Sequence, residues 1–285
     1  MTDVTRLEVG QERLRGIIEE LGSLSVAFSG GVDSSCLLFF AARYAPGRVV
    51  GLHGETELLH PVDREALDHL RRDLSQAGGA TPEVEILRHH ALEVPAVRNN
   101  ARDRCYHCKK AIFGLLQARV EEGSLGVLCE GSHLDDLGEH RPGHRALKEL
   151  GVRSPFVEAG LGKAEVRALA RELGLSVAER PATACLATRV PYDTLLEPAR
   201  LRRIGVAEMA LLARGYTPLR LRDHGELVRI ELSAAQLPQA LDEREALVVL
   251  LREQGWQHVT LDLVGFRSGC FDEAGADQAR SGDGR

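Results

Sequence analysis

Apolar positions along the chain follow two periods, and their alternation predicts most of the architecture. Residues 11–22 carry Leu14, Ile17, Ile18 and Leu21 at helical spacing, closed by Gly22. The mainly apolar stretch 24–28 reads as a short strand, and 34–44 as a buried helix ended by Pro46-Gly47, with 29–33 as the loop between them. The same reading gives strands at 48–53, 83–88 and 126–129, and helices at 63–77, 109–119 and 162–173. Strands that alternate with helices form parallel sheets, because a crossover helix is what carries the chain back to begin the next parallel strand. The expected fold class is therefore α/β, with a doubly wound parallel sheet over residues 1–195.

Beyond Pro191 the pattern changes. A helix at 197–214, strands at 219–222 and 227–232, a helix at 243–254 and a strand at 258–263 predict a smaller α+β domain over 196–270. Residues 271–285 lack apolar periodicity and are rich in Gly, Asp and Arg, which predicts a disordered tail. No internal repeat is present.

Composition narrows the function classes. At 285 residues, 44% hydrophobic and 27% charged, the chain is globular and long enough for one large and one small domain. No apolar run is long enough for a membrane span, and acids from the third residue onward argue against a targeting peptide, so a soluble, cytoplasmic protein without membrane contact is expected. A net charge of −6 disfavours a nucleic-acid partner, although a local basic site for a small phosphate is compatible with it. Six cysteines without a secretion signal point to metal binding or thiol chemistry rather than a disulfide framework. Cys36 and Cys129 sit in apolar contexts and read as buried hydrophobes, whereas Cys105, Cys108 and Cys185 do not.

The strand-to-helix junction Ser29-Gly30-Gly31-Val32-Asp33-Ser34 has what an anion needs. Its glycines let backbone N–H groups approach, its hydroxyls donate, and the positive end of a helix follows. The Gly-Lys-[Ser/Thr] ending of a Walker A loop is missing. Ser29, Gly30, Gly31 and Ser34 form the expected phosphate cradle for ATP, and Asp33 the expected Mg²⁺ ligand beside the departing pyrophosphate. The plain alternative is a tight turn.

The stretch Ala184-Cys185-Leu-Ala-Thr-Arg189-Val-Pro-Tyr192 sets a thiol four residues before an arginine on a Pro-bounded loop. A guanidinium there can activate the thiol or hold a substrate phosphate. Arg220 and Arg222 alternate on a predicted strand, so their side chains leave the same face and can converge on one phosphate. A solvated basic strand face is the alternative.

The loop resembles that of the PP-loop ATP pyrophosphatases, with their adenine nucleotide alpha hydrolase-like fold, which cleave ATP between the α- and β-phosphates to adenylate an oxygen. Further matches narrow the resemblance to the LarE family and cover nearly the whole chain. They are VAFSGGVDSS, KKAIF, the segment from Asp135 to Gly143, ACLATRVPY, LRLRDHGELVRIEL and TLDLVGFRSG. LarE proteins are ATP-dependent sulfur transferases that help build the nickel-pincer nucleotide cofactor of lactate racemase. The resemblance implies adenylation of a carboxylate of a pyridinium dicarboxylate mononucleotide, then attack by sulfur to give a thiocarboxylate. It implies Cys185 and Asp33 as catalytic residues, Lys109 near the ATP phosphates, and Arg189, Glu208, Arg220 and Arg222 around the mononucleotide. It further implies assistance to Mg²⁺ from Asp135 or Asp136, and homo-oligomers.

Some LarE members give up the sulfur of a single loop cysteine, leaving dehydroalanine. Three-cysteine members resemble cluster enzymes, in which three thiolates leave one iron of a [4Fe-4S] cluster open to sulfide from a sulfide or persulfide donor. With Cys105, Cys108 and Cys185 this chain fits the second pattern. Zinc with His107 as fourth ligand, a redox pair at Cys105 and Cys108, and sacrifice of Cys185 remain as alternatives, as do a tRNA thiolase and a non-catalytic nucleotide sensor.

Overall fold

The computed structural model describes residues 3–65, 82–138, 142–179 and 183–267. The expected tail, most of the helix expected at 63–77, part of the segment from Asp135 to Gly143 and the end of the TLDLVGFRSG stretch lie outside the described residues. By contact the chain falls into two compact units. The first comprises Met1–Val94 with Asp103–Thr183, and the second Pro95–Arg102 with Ala184–Arg285.

The first unit is built on four parallel strands, β1 (Leu24–Ala27), β2 (Val49–Glu55), β3 (Glu83–Arg88) and β4 (Val127–Cys129), in the order β3-β2-β1-β4. Register pairs Leu24 with Val49 and Val26 with Gly51, so these four positions share one face; Ser25, Val50, Ala27 and Leu52 share the other. The first face buries Leu24 and Val26 under α1 (Asp3–Leu21) and α2 (Val32–Tyr44), through Leu14, Ile18, Leu37 and Phe40. The second buries Val50 and Leu52 with Leu116 and Val120 of α3 (Arg104–Gly123). Helices on both faces explain why the central strand β1 is buried at Leu24, Ser25 and Val26 alike.

Two helices begin earlier than their periodicity predicts. Helix α1 starts at Asp3, and Gly10 in its interior lets the helix lie closely on Leu161. Helix α3 starts at Arg104, so Cys105 and Cys108 occupy its first two turns rather than a preceding loop; buried Arg104 and Tyr106 anchor that end. The periodicity did not anticipate α4 (Pro142–Glu149) and α5 (Pro155–Ala159). The expected helix before Gly174 is α6 (Lys163–Glu172), whose N-terminal backbone N–H at Gly162 is capped by Glu165.

In the second unit, β5 (Leu219–His224) and β6 (Leu227–Leu232) form an antiparallel hairpin, and β7 (His258–Leu261) adds in parallel beside β6. Helix α7 (Pro198–Leu212) precedes the hairpin, while α8 (Leu237–Asp242) and α9 (Arg244–Glu253) lie between β6 and β7. Residues 95–102 join this unit because the Asn100 amide donates to the carbonyls of Val190 and Pro191, at 3.0 and 2.8 Å. Asp223, near the end of β5, is fully buried. It accepts hydrogen bonds from Arg200, Arg203, the Trp256 indole and the Gly225 amide, which fix β5 against α7. Among the described residues no helix is long and apolar enough to cross a membrane.

Candidate functional site

Strands β2 and β3 extend the sheet to one side of β1, and β4 lies on the other. The carboxyl ends of β1 and β4 therefore flank the point where the strand order reverses, the place where open α/β sheets bind ligands. Ser29–Ser34 leaves β1 there. Gly30 takes a φ of +79°, a conformation that favours glycine, and Gly31 is the extended N-cap of α2. The Ser34 hydroxyl accepts the Ser29 N–H at 3.2 Å and lies 3.0 Å from the Ser29 hydroxyl, and the Gly31 N–H donates to Ser29 Oγ at 3.3 Å. Two rotatable hydroxyls and the first N–H groups of a helix thus gather on one loop, which is anion-binding chemistry.

From the other side of the reversal point, the segment after β4 meets this loop by backbone contact. A Cβ on Gly131 would stand 2.9 Å from both the Asp33 carbonyl carbon and the Ser34 nitrogen. His133 is 5% exposed, with Nδ1 3.4 Å from Asp136 and 3.6 Å from Asp135. Burial pushes the Asp33 carboxyl above the ordinary carboxylate range. His133, Arg167 and Lys163 oppose that shift, and the neighbouring Asp136 adds to it. Gly131 and His133 were not anticipated; their only sequence signal is their place directly after an apolar strand.

The paired aspartates divide their roles. Asp135 is exposed, accepts the Lys163 backbone N–H at 2.6 Å at the start of α6, and is thereby held below the usual carboxylate range. Asp136 is buried and turned toward His133, whose backbone N–H it accepts at 3.1 Å. Two desolvated, like-charged carboxylates, Asp33 and Asp136, suit a Mg²⁺ ion that also takes phosphate oxygens, since Mg²⁺ needs only one or two protein carboxylates. Among the described residues, no three or more His, Cys, Asp or Glu side chains gather as a metal site by themselves. The stem of Lys109 on α3 lies along Gly143, where a Cβ would come within 2.6 Å of it.

Cysteine environments differ as the sequence suggested. Cys36 and Cys129 are buried and their thiols are pushed up by desolvation, Cys129 to about 12. Cys105 is exposed, and Cys108 and Cys185 are half-buried. Cys105 and Cys108 stand three residues apart on α3 of the first unit, a spacing that shares a helix face; Cys185 belongs to the second unit. Thiols of this exposure are soft, accessible donors. His107, the fourth donor of the zinc alternative, has its Nε2 engaged with Asp103 at 3.0 Å.

In the second unit Cys185 leads into a short 3-10 turn, Leu186–Arg189. Its carbonyl accepts from the Thr188 N–H at 3.0 Å, the Thr188 hydroxyl at 2.8 Å and Arg189 at 3.4 Å, while Arg189 also reaches the Ala184 carbonyl at 2.6 Å. The backbone on both sides of the thiol is thereby fixed. Arg189 is itself held by Glu208 of α7, an ion pair of 2.8 Å with both side chains 3% exposed, and Glu208 accepts the Leu221 N–H of edge strand β5 at 2.7 Å.

Register places Arg220 opposite Glu231 and Arg222 opposite Arg229, so all four share one sheet face. Arg222 donates to Glu231 at 3.0 Å and to the Thr188 carbonyl at 2.6 Å, which ties the Cys185 turn to this face. Arg220 differs. Among the described residues it makes no ion pair, and its Nε is buried without a hydrogen-bond partner. Burial and the charges of Arg189 and Arg222 lower it to about 10, against which Glu208 and Glu231 act. A partly buried guanidinium without an ion pair favours an anion nearby.

A search against family models gives no match. The chain is 34% identical over 265 residues to an uncharacterized protein of a Synechocystis strain, covering 92% of this chain and 97% of that protein. It is 31% identical over 256 residues to a pyridinium-3,5-bisthiocarboxylic acid mononucleotide synthase of Lactiplantibacillus plantarum, covering 90% and 91%. An uncharacterized protein of Methanocaldococcus jannaschii is 30% identical over 179 residues, covering 62% and 69%.

Proposed function

This chain belongs to the LarE family, that of the pyridinium-3,5-bisthiocarboxylic acid mononucleotide synthase, and from that premise we propose that it is an ATP-dependent sulfur transferase acting on a pyridinium dicarboxylate mononucleotide. In this reading a substrate carboxylate oxygen attacks the α-phosphorus of ATP, and pyrophosphate leaves. Sulfur then attacks the activated carbonyl carbon, AMP leaves, and a thiocarboxylate remains. Ser29, Gly30, Gly31 and Ser34 hold the phosphates with Lys109, and Asp33 with Asp136 would hold a Mg²⁺ ion, which when bound supplies positive charge beside the pyrophosphate.

What supports this reading most is Arg220, a cation that makes no ion pair among the described residues, in the same unit as a half-buried cysteine whose backbone is clamped. Arg220 binds the nucleotide phosphate, Arg222, committed to Glu231 and the Thr188 carbonyl, braces the face beside it, Arg189 and Glu208 set the Cys185 turn, and Cys185 serves the sulfur transfer. Cys105, Cys108 and Cys185 would hold a [4Fe-4S] cluster, which when bound supplies an open iron for an exogenous sulfide and so spares the protein's sulfur.

Pyrophosphate release is the test. It is expected to require the pyridinium dicarboxylate mononucleotide, to be lost in Asp33→Ala, and to be indifferent to tRNA. Release stimulated by tRNA and not by the mononucleotide would instead favour a thiolase of RNA.

A further inference from the structure

The last turn of the described chain is built to deliver one aromatic ring. Asp262 leaves β7 with its N–H on the Ile230 carbonyl, and its carboxylate accepts the Val264 N–H at 2.9 Å while pairing with Arg229 at 3.4 Å. The Gly265 N–H returns to the Asp262 carbonyl at 3.1 Å. Gly265 adopts a φ of +83°, and a Cβ there would stand 2.7 Å from the Leu232 carbonyl oxygen, so both its conformation and the close approach call for glycine. The next N–H, that of Phe266, donates to this same Leu232 carbonyl at 2.7 Å. The result is a half-buried Phe266 ring whose centroid lies 4.9 Å from the guanidinium carbon of Arg220.

Every other arginine at this face is held by carboxylates: Arg189 by Glu208, Arg222 by Glu231, and Arg229 by Glu231 and Asp262. A carboxylate would have fixed Arg220 equally well, but it would also have cancelled the charge an anion must find. The π face of a phenyl ring attracts a cation through its quadrupole and contributes no net charge. We propose that Phe266 is a positioning residue for substrate recognition: it holds the Arg220 guanidinium in place without neutralising it, so that the guanidinium stays available to the phosphate of the mononucleotide. This inference rests on the reading of Arg220 as a phosphate ligand.

The experiment uses the full chain and nicotinic acid mononucleotide as an anionic pyridine nucleotide probe, with binding followed by calorimetry in the parent, Phe266→Leu, Phe266→Trp and Arg220→Gln proteins. In parallel, the Arg220 Nε–Hε resonance reports ring-current shielding. A cation–π contact of this kind corresponds to roughly 3- to 30-fold in affinity. Phe266→Leu, similar in bulk, is expected to weaken probe binding within that range and to remove the shielding, whereas Phe266→Trp retains both. Parent-like affinity in Phe266→Leu alongside weakened binding in Arg220→Gln overturns the inference and leaves the phosphate role of Arg220 standing. Parent-like affinity in Arg220→Gln overturns both. Equal weakening in Phe266→Leu and Phe266→Trp, with both proteins folded, reduces Phe266 to a packing residue and overturns the inference alone.

Discussion

Replacing Glu208 with Gln tests how the Cys185 turn is held. Both partners of the Arg189–Glu208 pair are 3% exposed, and the carboxylate accepts three contacts from Arg189, at 3.1, 3.3 and 2.8 Å, and one from the Leu221 N–H at 2.7 Å. In Glu208→Gln, one oxygen can still serve Leu221, but the new NH₂ group confronts an Arg189 donor and the arginine charge is left uncompensated in the interior. Breaking a buried pair in this way costs about 3 kcal/mol. The single tryptophan, Trp256, is 1% exposed in the same unit, so its fluorescence reports unfolding there. With a urea dependence of about 2 kcal/mol per molar, the midpoint should fall by about 1.5 M. Removing both charges in Arg189→Met with Glu208→Leu should cost less than the sum of the two single changes by at least about 1 kcal/mol, because no orphaned charge remains. A midpoint within about 0.3 M of the parent, or strictly additive losses, would refute the idea that this pair anchors the turn.

Three further outcomes follow from the geometry. Burial alone would raise the Asp223 carboxyl, but Arg200, the Gly225 N–H and Arg203 hold it below its ordinary value. A depressed folded-state value gives stability that is present above the unfolded pKa of about 3.9 and is lost as pH falls through the folded value, so acid unfolding seen at Trp256 should lose that step in Asp223→Asn. Gly131→Ala should weaken ATP binding in an equilibrium assay more than it lowers thermal stability, because its Cβ would strike the backbone of Asp33 and Ser34; unchanged ATP affinity would contradict the contact. In iron-free protein under native conditions iodoacetamide should modify Cys105, Cys108 and Cys185 and spare Cys36 and Cys129 until urea is added, as mapped by peptide mass spectrometry.

What could be read from the sequence is what neighbouring residues encode. The Ser29–Ser34 loop lies within one contiguous strand-to-helix junction, and Arg220 with Arg222 share a strand face by alternation alone. The partners that complete these features come from elsewhere in the chain. Gly131 and His133 reach Asp33 because β4 pairs beside β1, and Asn100 carries residues 95–102 into the second unit through two carbonyls near Pro191. The Cys105–Cys108 pair lies on a helix rather than in a loop because Arg104 and Tyr106 bury that end of α3, a tertiary effect absent from a periodicity that begins later. The alternation of Arg220 and Arg222 also gave no sign that one is committed to Glu231 and the other rests on a phenyl ring. Pairing depends on β6 and on the turn after β7, not on the strand that bears the arginines.

The account turns on the transfer of sulfur to an adenylated carboxylate at this protein. The most direct measurement is an anaerobic reaction of the purified protein with ATP, Mg²⁺, sulfide and the pyridinium dicarboxylate mononucleotide, with product, AMP, bound iron and the mass of the Cys185 peptide determined together. The account predicts a thiocarboxylate mononucleotide formed with AMP, absent in Cys185→Ser, and an intact Cys185 in iron-loaded protein. A dehydroalanine at position 185 in iron-free protein would transfer the sulfur source to the cysteine itself, and AMP formed without any sulfur in the product would contradict the central claim.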